Sequence, residues 1–417
     1  MKTAGIIVEY NPFHCGHAFH IQRTREVTGA DYVIAVMSGD FVQRGAPALL
    51  DKHLRTKMAL MGGADLVLEL PVYFAAGSAG DFAAGAVSLL DQLGCVDFLS
   101  FGSEWGDIGP FRRAAALLTE EPEPFKAVLK ERLKQGASFP GARAEALKSC
   151  SASFSDEPLP DCFFSDPNNI LGLEYCAALL RRKSSIRPVT IKREGAGYHD
   201  DSLDTVFSSA QAIRNAVYRA DSDFFRARIA PFIPENLHSL WGPLFDQNAF
   251  LCSGDFTKEL RCRLLTEAPR GYQHFADVSR ELSDKLLKNQ LSFTDWEDLC
   301  ARLKTKELTY SRISRALLRI LLSLSADQLQ AAREQDYVPY ARILGFRKTA
   351  MPLLSSLKKN SGIPMLSKLA DADRMLSGVP ARMLQKDILA AHLYESALAA
   401  KTGCVPRNEY TRQICIL

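Results

Sequence analysis

Gly5-Ile6-Ile7-Val8-Glu9-Tyr10-Asn11-Pro12-Phe13-His14-Cys15-Gly16-His17 decides how this chain is read. A short continuous apolar run predicts a buried parallel strand, and Asn11-Pro12 is turn chemistry that stops it at Tyr10. The histidines then open a helix. Residues three apart in a first helical turn share a face, so His14 and His17 can both point where free backbone N–H groups and the helix dipole favour an anion. Gly16 between them lets a nucleotide lie against the backbone. This is the layout of an ATP-phosphate site and predicts adenylate chemistry. Attack on the α-phosphorus drives off pyrophosphate, and the charge that builds on oxygen is stabilised by preset donors, with no side-chain nucleophile required. His14 and His17 are the candidate catalytic residues. The plainer alternatives are polar residues at a helix start or a metal cluster. A zinc site is the weaker of these, because His14, His17 and His20 drift around the helix and the ten cysteines include no Cys-x-x-Cys pair.

Composition sets the frame. At 417 residues, 47% apolar and 24% charged, the chain has the make-up of a globular protein with two or three domains. A net charge of +3 means that any nucleic-acid partner must be sought in local basic stripes. The first apolar run is too brief for a signal peptide. Phe74 to Leu90 is interrupted by Asp81 and by Gly77, Gly80 and Gly85, which argues against a membrane span. Cysteines without framework spacing suggest free thiols in a reducing cytoplasm.

Further along, strands and helices alternate. Tyr32–Met37 predicts a second strand ending at Ser38-Gly39-Asp40, Lys52–Met61 a helix, Leu66–Leu70 a third strand, Asp81–Leu93 a helix, and Phe98–Phe101 a fourth strand ending at Gly102-Ser103-Glu104. Residues 111–147 read as helix-rich, 151–160 as a loop, Asn169–Arg182 as a helix and Arg187–Ile191 as a last strand. The expected fold is therefore α/β, a Rossmann-like parallel sheet over 1–220 with its ligand at the carboxyl ends of the strands. Beyond Ala220 the pattern reads as almost wholly helical, so 221–417 is expected to be a helical region.

Three other segments carry chemistry. In Ser208-Ser209-Ala210-Gln211-Ala212-Ile213-Arg214 the hydroxyls precede a helix, where a serine can simply cap. Arg214 sits against the helix dipole, which favours a nearby anion. Asp166-Pro167-Asn168-Asn169-Ile170-Leu171-Gly172 places amides at a helix start, as N-cap or as adenine or ribose contact. Arg193, straight after the last strand and at the head of a Gly195-Ala196-Gly197-Tyr198-His199-Asp200 run, is placed for a ligand.

Together with Met37-Ser38-Gly39-Asp40-Phe41-Val42-Gln43-Arg44-Gly45, these segments resemble the bacterial tRNA(Met) cytidine acetate ligase family, of the HIGH-type nucleotidyltransferase superfamily. The resemblance is most specific over residues 4–215. Cys15 stands where that family often has Asn, Ala46 where Glu is common, and Gln211 where a threonine hydroxyl is usual. The resemblance implies that the segment Ile7, Val8, Glu9, Tyr10, Asn11, Pro12, Phe13, His14, Cys15, Gly16, His17, Ala18, Phe19 and His20 binds ATP with Gly102, Asn168 and Arg193; the helix-start reading adds Ser209 and Arg214 as phosphate contacts. The resemblance also implies an ATP-dependent ligase that forms acetyl-adenylate and acetylates the wobble cytidine, position 34, of elongator tRNA(Met). Mg²⁺ on the triphosphate is a chemical expectation.

An RNA partner has its own sequence signal. From Ala301 to Ile320 there are six basic residues and one acidic residue, Glu307; Arg312, Arg315 and Arg319 fall at i, i+3 and i+7 beside an apolar stripe. Such a stripe follows a phosphate backbone or is a solvated face. Tyr337, Tyr340, Arg342, Phe346, Arg347 and Lys348 interleave rings and cations, as base-stacking surfaces do. With the resemblance, Arg312, Arg315, Arg319, Arg347 and Lys348 are the expected tRNA contacts. The rivals are a small-metabolite adenylyltransferase, which needs little beyond the α/β part, and an RNA-binding protein with a degenerate nucleotide pocket.

Overall fold

A computed structural model describes residues 1–151, 159–193, 209–219 and 222–417. Ten strands run β1 (Thr3–Val8), β2 (Tyr32–Ser38), β3 (Phe41–Val42), β4 (Ala46–Pro47), β5 (Leu66–Leu70), β6 (Phe98–Ser103), β7 (Arg187–Lys192), β8 (Ala341–Phe346), β9 (Met365–Leu366) and β10 (Cys415–Ile416). The main sheet has the order β10-β8-β5-β2-β1-β6-β7, with β9 beside β8. The pairs β5–β2, β2–β1, β1–β6 and β6–β7 are parallel. The chain lays strands outward from β1 in one direction through β2 and β5, then in the other through β6 and β7. That reversal opens a crevice outside the carboxyl ends of β1 and β6.

The central strands are covered on both faces, which is why they read as continuous apolar runs. Side chains alternate between faces: Ile34 and Val36 of β2 join one buried cluster with Leu66 and Leu68, while Val33, Ala35 and Met37 join another with Val67. Gly5 permits the helix Ala79–Gln92 to lie close on β1, since a Cβ there would meet the Leu90 methyls at 2.7 Å. Helices α1 (Cys15–Thr28) and α2 (Lys52–Met61) follow β1 and the β3–β4 hairpin.

The second half is mainly helical, as expected, and returns three short strands to the sheet. β8 pairs antiparallel with β5, Leu66 opposite Phe346 and Glu69 opposite Arg342, and β9 and β10 join it in parallel. One buried cluster includes residues from both sides of position 220, from Ile34 to Ala397. Arg342 is buried in an ion pair with Glu69 at 2.7 Å, off the hydrogen-bond angle, and pairs with Glu409. Lys52 Nζ, also buried, lies 2.8 Å from Glu69, 2.9 Å from Glu409 and 3.6 Å from Asp40. Tyr340 donates to Asp387 at 2.8 Å. Tyr340 and Arg342 are thus a core lattice and no base-stacking surface. All ten cysteines are unpaired. Among the described residues no helix is long and apolar enough to cross a membrane.

Candidate active site

The turn after β1 delivers His14 as the N-cap of α1. Its Nδ1 accepts the Gly16 amide at 3.0 Å, and the His14 amide in turn donates to Nδ1 of His17 at 3.3 Å. The rings lie 3.8 Å apart, 33° from parallel, with Tyr10 against His17 at 4.8 Å. Burial, then the charges of Arg193 and Arg214, hold His14 down to about 3. Burial, His14, Arg193 and His20 hold His17 well below its ordinary value, and burial with Arg193 holds His20 at about 4. Both active rings are therefore neutral with Nδ1 occupied as an acceptor. The proton of each must sit on Nε2, which becomes a hydrogen-bond donor at the mouth of the helix. Two such donors at a helix start are the kind of group an oxyanion site requires, and they need no proton transfer to work.

Two arginines close the site. Arg193 follows β7, its amide bonded to the Ser103 carbonyl at 2.9 Å and its stem crossing Gly102, where a Cβ would stand 3.4 Å from Arg193 Cγ. Arg214, in the helix Ala210–Val217, donates to the Asn11 carbonyl at 2.6 Å. Ser209 Oγ caps that helix by accepting the Ala212 amide at 3.0 Å. Gln211 Oε1 lies 3.4 Å from Arg44 Nη1, so the side chain that replaces a threonine here reaches the hairpin tip. Ser208 and residues 195–200 lie outside the described residues.

Asn168 spends its amide on Glu104 Oε1 at 2.6 Å. The neighbouring Asn169, buried, receives the amides of Glu104 and Trp105 and donates its own to Glu104 Oε2 at 3.0 Å. The pair thus fixes the loop after β6 that borders the crevice. Cys15 Sγ is 3.8 Å from the Pro231 carbonyl oxygen. Ile7 and Val8 end β1, and Ala18 and Phe19 are half-buried in the first turns of α1. Arg55 carried no sequence signal. It is fully buried and donates to the carbonyls of Leu50, Glu9, Ser38 and Gly39, tying the ends of β1 and β2 together.

The basic stripe does not survive intact. In the helix Tyr310–Leu321, Arg319 has 1% of its side chain exposed and pairs with Asp277 at 3.3 Å, so it is a core ion pair and offers RNA nothing. Arg312 and Arg315 are half-buried on the face that meets the β3–β4 hairpin. There Ser314 donates to the Gly45 carbonyl at 2.8 Å, and a Cβ on Gly45, at φ +76°, would lie 2.3 Å from the Arg315 amide. Arg347 and Lys348 follow the carboxyl end of β8, which runs against β5; the Arg347 amide binds the Asp65 carbonyl at 2.9 Å. They stand at the amino edge of the parallel strands, opposite the histidines, and do not share a face with Arg312 and Arg315.

The HIGH Nucleotidyl Transferase family matches residues 1–407. A relative named tRNA(Met) cytidine acetate ligase from Acetivibrio thermocellus is 39% identical over all of both chains, and one from Clostridium kluyveri is 41% identical over 88% of this chain and 90% of its own. The chain belongs to the tRNA(Met) cytidine acetate ligase family. The apo crystal structure of TmcAL from Thermotoga maritima superposes at a TM-score of 0.93, with 32% identity over all of both chains. A second form of that protein, bound with α-thio ATP, gives 0.91 at 31% identity over all of both chains. The form bound with an ATP analogue and the nucleotidyltransferase family together support ATP binding on this fold.

Proposed function

We propose that this chain is a tRNA(Met) cytidine acetate ligase. Acetate attacks the α-phosphorus of ATP, pyrophosphate leaves, and the acetyl group passes from the adenylate to the exocyclic amine of the wobble cytidine at position 34 of elongator tRNA(Met). The observation that carries this reading is the pair of imidazoles at the start of α1, each with its Nδ1 taken by a backbone amide so that Nε2 is left to donate, at the sheet's switch point. Arg193 and Arg214 add positive charge from either side. Mg²⁺ would enter with the nucleotide, whose triphosphate oxygens are the hard ligands it prefers.

The RNA would approach past Arg44, Arg312 and Arg315, where the hairpin tip joins the crevice to the helix Tyr310–Leu321. The test is mass analysis of elongator tRNA(Met) after incubation with enzyme, ATP and labelled acetate. The expected product is one acetyl group on the wobble cytidine; an unmodified tRNA with active ATP–pyrophosphate exchange would assign the chain to metabolite chemistry instead.

A further inference from the structure

Acyl transfer to an amine releases a proton, and the groups assigned so far cannot take it. His14 and His17 already accept backbone amides at Nδ1 and present protonated Nε2 atoms. Both carboxylate oxygens of Glu104 are engaged by Asn168 and Asn169. Asp40 and Glu69 are buried in the lattice around Lys52. Glu9 differs in its bonding, with Oε1 alone taken by a backbone amide; it comes directly after β1, at the switch point, and is half-buried. Its Oε1 accepts the Gln43 amide at 2.7 Å, which fixes the carboxylate beside the hairpin tip. The Glu9 carbonyl is held by Arg55 at 2.7 Å. The charges of Arg214 and Arg44 reach it, and its own charge helps to raise the Tyr175 phenol.

We propose that Glu9 accepts the proton lost by the cytidine amine during acetyl transfer. The inference rests on the ligase reading. The N4 lone pair adds to the acetyl carbonyl carbon and forms the C–N bond. The bond from that carbon to the AMP oxygen breaks, AMP leaves with the electron pair, and the N4 proton passes to Glu9 and then to water. Burial raises the carboxyl's affinity for a proton, opposed by the Gln43 amide and by Arg214, Arg44 and Arg55, and a raised carboxyl is better matched to proton transfer near neutral pH. By family resemblance Glu9 also borders ATP, so the readout is the ratio of the two half-reactions.

The experiment supplies synthetic acetyl-adenylate and elongator tRNA(Met) to the enzyme under single turnover, over a range of pH, beside acetate-dependent ATP–pyrophosphate exchange. Wild-type transfer should rise with pH along one limb and level off. Glu9→Gln should lose the limb and about 100-fold or more of the transfer rate, while exchange falls far less. Glu9→Asp should keep the limb at an intermediate rate, and it carries the test if the glutamine variant does not fold. Transfer by Glu9→Gln at the wild-type rate, an equal fall in both half-reactions, or a flat wild-type profile would overturn the assignment. Wild-type enzyme that fails to use acetyl-adenylate at all would overturn the ligase reading together with it.

Discussion

On the proposed role, His17 donates where charge develops as pyrophosphate leaves, so its removal should be felt in the chemical step. His17→Ala is expected to slow acetate-dependent exchange by about 100-fold, on the order of 2–4 kcal/mol, with a smaller loss of stability from the ring that packs on Tyr10 and Phe13. An exchange rate equal to wild type would remove His17 from the chemistry. The histidines also set a pH dependence. Unfolded, they take protons near their ordinary value of about 6.5; folded, His20 does so near 4 and His14 near 3. Between those limits the unfolded chain binds more protons, so stability present above about pH 6.5 is lost as pH falls through that window. Chemical denaturation at pH 7 and pH 4.5 should show a smaller drop for His20→Gln than for wild type. The sequence already placed both imidazoles at a helix start just after the first strand. It could not show which nitrogen carries the proton, because that is set by backbone amides only the folded turn brings within reach.

The helix Tyr310–Leu321 shows how a periodic pattern misleads when both faces are covered. Arginines at i, i+3 and i+7 read as one solvated or RNA-facing stripe, yet Arg319 is sealed against Asp277, over forty residues earlier in the chain. The three positions should therefore separate. Arg319→Gln is expected to cost about 1–3 kcal/mol of stability in denaturant melts, because Asp277 loses its partner. Arg312→Gln with Arg315→Gln is expected to weaken tRNA binding and flatten its salt dependence by roughly one unit of log–log slope per lost phosphate contact. A double variant that binds tRNA as wild type does at every salt concentration would move the RNA face elsewhere. β1, β2, β5 and β6 were legible because each is a mostly apolar run that ends at turn residues and stands in an alternation with helices. β8 was not, since Arg342 interrupts its apolar run and the compensating Glu69 and Glu409 are remote in sequence.

The lattice of Lys52, Glu69, Arg342 and Glu409 ties the start of α2, two strands and the chain's last short helical turn into one buried knot. Burial alone would raise Glu409, but Lys52, His53 and Arg342 hold its carboxyl far below the usual range. Glu409→Gln leaves two buried cations short of a counter-charge and is expected to lower stability by about 3–5 kcal/mol in equilibrium unfolding; a loss within error of zero would mean that Glu69 and Asp40 suffice. For the same reason a fragment of residues 1–220 should fail to bind ATP, because β5 would keep an unpaired edge and Lys52 would face fewer carboxylates. On the ribosome this becomes a matter of timing. Leu70 is made roughly 20 to 70 seconds before Glu409 at about 5–20 residues per second. Through that interval the β5 edge stands open to other nascent chains, so slow translation or a late stop codon leaves an aggregation-prone half-sheet rather than a partly active enzyme.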